Sequence, residues 1–136
     1  MCMLLLLTGN ALALPMEQTY VTMENDWDVP YTMTDADGNS YSTFCLEKNN
    51  FFYPGQEYYV ASVGDYAEGG GEGAVDGKDP VSSDTKWLYA AYLSDVFKGI
   101  SDAAQMVQYA IWYLEDEIDD GSAWAALSIY RDSFDA

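Results

Sequence analysis

Tyr31-Thr32-Met33-Thr34-Asp35-Ala36-Asp37-Gly38-Asn39-Ser40-Tyr41-Ser42-Thr43-Phe44-Cys45-Leu46 is the stretch that decides the fold. Two runs of β-branched and aromatic residues flank an Asp-Gly pair, the composition of two antiparallel strands joined by a tight turn. Side chains alternate along a strand, so Tyr41, Thr43 and Cys45 share one face while Ser42, Phe44 and Leu46 share the other. The run from Asp35 to Asn39 also resembles the opening of a calcium loop. The twelfth position, which should hold a bidentate Glu, is Leu46, so the run reads as a turn.

Outward from this hairpin, residues 19–23 and 57–63 carry the same strand signature. Asn49-Asn50 and Pro54-Gly55-Gln56 make turns, with Phe51 to Tyr53 between them as an apolar plug. Glycines at 69, 70, 71, 73 and 77 make residues 67–80 an expected loop without regular structure, because ordering glycine costs the most backbone freedom. Gly77-Lys78 is followed by Asp79 rather than Ser or Thr, which excludes a nucleotide-binding loop.

Beyond Pro80 the apolar period becomes helical. Ser82, Ser83 and Asp84 offer N-caps, Trp87, Leu88, Ala91 and Val96 an apolar side, and Lys98-Gly99 a stop. A second helix is expected from about Ser101 to Ile118, with Ala104, Val107, Ile111, Leu114 and Ile118 as a buried stripe, and Gly121 ending it. A third starts at Ser122 and places Trp124, Leu127 and Phe134 on one side. The expected fold is α+β: an antiparallel, barrel-like sheet with a helical part packed against it, in one domain over residues 14–136.

Residues 1–13, MCMLLLLTGNALA, read as a signal peptide cleaved after Ala13, with an apolar centre and an Ala-x-Ala ending, so the mature chain is expected outside the cell or on its surface. The apolar stretch is too short to span a bilayer. On this reading Cys2 leaves with the leader and Cys45 remains as an odd thiol in an oxidising compartment.

The net charge is −18, from five Lys plus Arg against 23 Asp plus Glu. Such a field repels nucleic acid and anionic lipid. The absence of His removes Ser/His/Asp and Cys/His catalysis and the zinc metalloprotease motifs. Apolar residues at 49% provide for a packed core, so the acidity belongs to a folded surface. The run Glu115, Asp116, Glu117, Asp119, Asp120 opposes its own helix dipole and reads as a solvated face.

Two residues remain to be explained. Gln108 adjoins Val107 of the buried stripe, with Ala104 and Trp112 one turn to either side, so its carboxamide sits at the margin of the core and needs partners. Cys45 sits near the end of its strand. Phe44-Cys45-Leu46-Glu47 resembles the aromatic-Cys-apolar-acidic signature of bacterial thioester domains, and Val107-Gln108-Tyr109-Ala110-Ile111-Trp112 is similar to their second signature, apolar-Gln-x-Ala-apolar-Trp. Such domains sit at the tips of surface adhesins, and related ones occur in exported proteins with a PEP-type sorting signal. Glu47 stands where the adhesin domains usually carry Asp or Asn, and Val107 where Thr is common.

The resemblance implies an internal thioester between Cys45 and Gln108, supported by Phe44, Leu46, Glu47, Ala110 and Trp112, without metal or cofactor. It implies one covalent capture of a surface amine, such as a partner's lysine, rather than enzymatic turnover. Members of the family usually continue with further strands, whereas 24 residues follow Trp112 here (136 − 112). The alternatives are a non-reactive extracellular module with Cys45 as a small buried hydrophobe, a glycan-binding module with Tyr58, Tyr59, Trp87 and Tyr89 as a stacking platform, or a dimer through a Cys45 disulfide.

Overall fold

The computed structural model describes residues 4–5, 15–24, 28–49, 51–61, 63–68 and 75–133. Seven strands come first: β1 (Leu4–Leu5), β2 (Thr19–Met23), β3 (Tyr31–Asp35), β4 (Ser40–Cys45), β5 (Glu57–Val60), β6 (Tyr66–Glu68) and β7 (Lys78–Pro80). Helices α1 (Ser83–Leu93), α2 (Ala103–Leu114) and α3 (Ser122–Ser128) follow, then a 3₁₀ turn (Arg131–Ser133).

The decisive hairpin forms as its Asp-Gly turn requires. Gly38 takes a φ of 85°, which only glycine adopts cheaply. Asp35 braces the turn, accepting from the backbone of Asp37 and Asn39 and from the side chains of Asn39 and Tyr41. Strands β4, β3, β2 and β5 make a four-stranded antiparallel sheet in that order, and β1 adds a short rung on the free edge of β4 with Leu4 opposite Cys45. The sheet is open rather than barrel-like. In the order β1-β4-β3-β2-β5, no ladder among the described residues joins β5 to β4 or to β1.

Two cores result. Alternation sends Val21, Met23, Met33 and Cys45 to one face of the sheet, where Phe52 and Trp112 cover them. Phe52 alone is the plug, since Phe51 and Tyr53 are exposed. The second core is helical and aromatic. Trp87, Leu88, Phe97, Val107, Ile111 and Leu127 fill it, and Phe44 and Leu46 enter it from the opposite face of β4. The turn between Cys45 and its neighbours thus falls on the seam between the cores.

Several boundaries differ from expectation. Tyr66–Glu68 and Lys78–Pro80 form a hairpin within the stretch expected to be loop, because the flanks of the glycine run can pair even where the glycines themselves cannot nucleate a strand; residues 69–74 lie outside the described set. The strand expected to reach Val63 stops at Val60. Helix α1 has Ser82 as its N-cap, the side chain accepting from Thr85 N, but ends at Leu93. Helix α2 begins behind Asp102, a non-glycine residue at φ 57° without a side-chain cap bond, rather than behind Ser101. It stops at Leu114 in a Schellman turn, with Asp116 at φ 61° and Glu117 N–H donating to Trp112 C=O at 2.7 Å. Phe134 lies outside the described residues, as does the leader apart from residues 4–5.

Candidate functional site

The hydrogen-bond phase of the sheet dictates what happens at Cys45. Asp35 N–H donates to Asn39 C=O at 2.9 Å, and hydrogen-bonded pairs in an antiparallel ladder recur at every second residue. In the β3–β4 register they fall on Met33 with Tyr41 and Tyr31 with Thr43. The next rung would use the N–H and C=O of Cys45, but β3 only begins at Tyr31, directly after Pro30.

Gln108 of α2 takes that rung. Its Oε1 accepts from Cys45 N–H at 2.8 Å, and its Nε2 donates to Cys45 C=O at 2.7 Å. The carboxamide imitates a peptide unit of the missing strand residue. Gln108 is not at the margin of the core but fully buried, at 0% exposure, because both halves of its amide are satisfied there. On the opposite edge of β4, the hydroxyl of Tyr89 donates to Ser42 C=O. Burial pushes the Tyr89 phenol up to about 12.

The motif residues divide between the cores as alternation requires. Phe44 is fully buried and meets the rings of Tyr89 and Tyr92 edge-on at 5.9 and 5.2 Å, and Leu46 lies in the same helical core with Ala110. Cys45 faces the sheet core with Trp112. The Trp112 Nε1 is buried and has no hydrogen-bond partner among the described residues.

Cys45 is 5% exposed and its Sγ lies 3.2 Å from Glu47 C=O. It is not a lone thiol: no described cysteine is free, and Cys45 is disulfide-bonded. The sequence offers only Cys2 as a partner, and Cys2 itself lies outside the described residues. Residues 4–5, within the expected leader, pair with β4, Leu4 opposite Cys45.

The acidic run is not a purely solvated face. Glu115 is buried and caps the start of α1, accepting from Ser82 N–H at 3.1 Å and from the Thr85 hydroxyl, so its charge meets the positive end of another helix. Glu117 accepts from Lys48 N–H at 3.2 Å. The clue in the sequence was the mismatch between these acids and the end of their own helix. Burial raises the carboxyl of Glu47, and the charges of Glu117 and Asp79 push the same way. Asp79 is raised by burial and by Glu115, Glu117 and Asp116.

The four aromatics read as a stacking platform are not brought together. Trp87 and Tyr89 are buried among the helices, and the Tyr58 hydroxyl accepts from Tyr53 N–H at 2.6 Å. Tyr59 is exposed, and its ring neighbour is Tyr20, 5.3 Å away across β2 and β5. A groove of about 420 Å³ lined by Met106, Tyr109 and Asp120 follows the exposed side of α2 and includes neither Cys45 nor Gln108. Comparisons with protein-family models, with curated proteins and with solved structures returned no match.

Proposed function

We propose that this chain is an exported surface domain in which Cys45 and Gln108 form an internal thioester that captures an amine once, giving covalent adhesion rather than catalytic turnover. The observation that supports this reading is the seating of a fully buried Gln108 carboxamide on the backbone of Cys45, at 2.8 and 2.7 Å. Two residues 63 positions apart meet, and one of them is the only cysteine that the signal-peptide reading leaves in the mature chain.

The chemistry balances simply. The Cys45 sulfur adds to the Gln108 side-chain carbonyl carbon, the carbon–nitrogen bond breaks, and the amide nitrogen departs as ammonia with the thiol proton. An amine on a partner, for example a lysine, then adds to the same carbon, and Cys45 leaves as a thiol. An amide is a poor electrophile, so close placement has to supply much of the barrier reduction. The Cys45 N–H already donates to the oxygen on which negative charge would develop. The reaction draws on Cys45 as a thiol, so it belongs to a chain whose disulfide a thiol reductant has opened, or whose leader, Cys2 with it, was removed before any disulfide formed.

A second reading has an observation in its favour. The same two hydrogen bonds satisfy the amide without any reaction, and together with a disulfide-bonded Cys45 they suit a non-reactive extracellular module with a structural clamp between α2 and β4. Intact mass of the reduced, mature protein decides. A thioester makes it lighter by one ammonia, methylamine treatment then adds one methylamine, and Cys45→Ala shows neither change. An unaltered mass in the reduced wild type leaves the clamp.

A further inference from the structure

We infer that Trp112 supplies the second hydrogen-bond donor for the oxyanion formed at Gln108, an inference that rests on the thioester reading. Its indole N–H is buried with no partner among the described residues. Buried donors are almost always paired, so an orphan calls for an explanation, and a role in chemistry is one. Phe or Leu would fill the same apolar place without stranding a donor.

Position says what the donor serves. Trp112 is one helical turn beyond Gln108 on α2, and long helical side chains lean back over the preceding turn, here the turn of Gln108 and of Tyr109, whose ring the indole meets edge-on at 5.7 Å. It packs in the sheet core that holds Cys45, the attacking sulfur. When that sulfur bonds to the side-chain carbon of Gln108, the carbonyl pair moves onto Oε1, and an oxygen that had one donor as a neutral acceptor becomes a full anion. Cys45 N–H remains on it at the ground-state distance of 2.8 Å. A second donor that bonds only at this stage lowers the barrier without strengthening the resting amide. The same donor serves both halves of the chemistry, since aminolysis passes through an oxyanion on the same atom.

The test replaces the N–H and keeps the ring. Trp112→Phe and a protein carrying benzothienylalanine at 112, in which sulfur stands for the indole nitrogen, are compared with wild type after reduction. The expected result is ammonia loss and methylamine uptake at least about tenfold slower in both, within the range found for single oxyanion donors. Melting temperature should be undiminished, and immediately on reduction, before ammonia is lost, Cys45 should react with iodoacetamide at the wild-type rate. Rates within twofold of wild type in both variants overturn the inference while leaving the thioester standing. A slow Trp112→Phe beside a benzothienyl protein of normal rate assigns Trp112 to packing and overturns it too. A reduced wild type that keeps its ammonia sinks the thioester reading, and this one with it.

Discussion

The two ends of β4 are held by opposite means. At the Ser40 end, every brace comes from within six residues: Asp35 binds the backbone of Asn39, its side chain and the Tyr41 hydroxyl. At the Cys45 end the partners are 47 and 63 residues away, Tyr89 on Ser42 and Gln108 on Cys45, and 69 residues separate Lys48 from Glu117. A strand can therefore be local at one end and wholly tertiary at the other. The pair proposed to react is at the tertiary end.

The largest break in this contrast should come from Gln108→Leu. It strands the N–H and C=O of Cys45 in a dry seam, at a cost of about 2 to 4 kcal/mol by urea unfolding, since each unmade buried bond costs on the order of 1 to 3. Tyr89→Phe removes one bond from Ser42 C=O and should cost about 1 kcal/mol in the same assay. At the local end, Gly38→Ala places a side chain at φ 85° and should cost about 1 kcal/mol, with amide exchange quickening in the hairpin and not at Cys45.

Acid should separate the ends most gently. The carboxyl of Asp35 is held below its ordinary value of 3.8, chiefly by the Asn39 side chain. The unfolded chain then binds the proton first, so this contribution is present above 3.8 and lost as pH falls through the depressed folded value. Glu47 is raised from 4.5, so the folded chain binds the proton first, and its contribution to stability grows as pH falls from the raised value toward 4.5. Glu47→Gln should raise the melting temperature near neutral pH and flatten its rise on mild acidification. Asp35→Asn should flatten the loss below 3.8. The same direction of change in both variants would refute the contrast.

What the sequence disclosed follows the same division. The Asp-Gly turn, the alternation that sends Cys45 and Phe44 to opposite faces and the Ser82 cap are written in neighbours a few positions apart, and each is present. The pairing of Gln108 with Cys45 entered through resemblance, and its form, an amide standing in for a strand rung, depends on where β3 begins. The cap that Glu115 gives α1 joins residues 30 apart or more; the mismatch of the acids with their own helix end is a local sign that they serve elsewhere, but it does not name α1. Cys45 is disulfide-bonded although the expected leader leaves it without a cysteine partner in the mature chain, and the backbone pairs residues 4–5 with β4.

The surrogate rung also sets an order of events as the chain is made. The hairpin can close as soon as Asn39 and Ser40 emerge, since its loop is short and costs little to bring together. The bond at Cys45 has to wait until α2 has been synthesised, 63 residues later. Through that interval the backbone of Cys45 and the amide that seats it are strangers, so this seam is complete in no fragment that stops before Gln108.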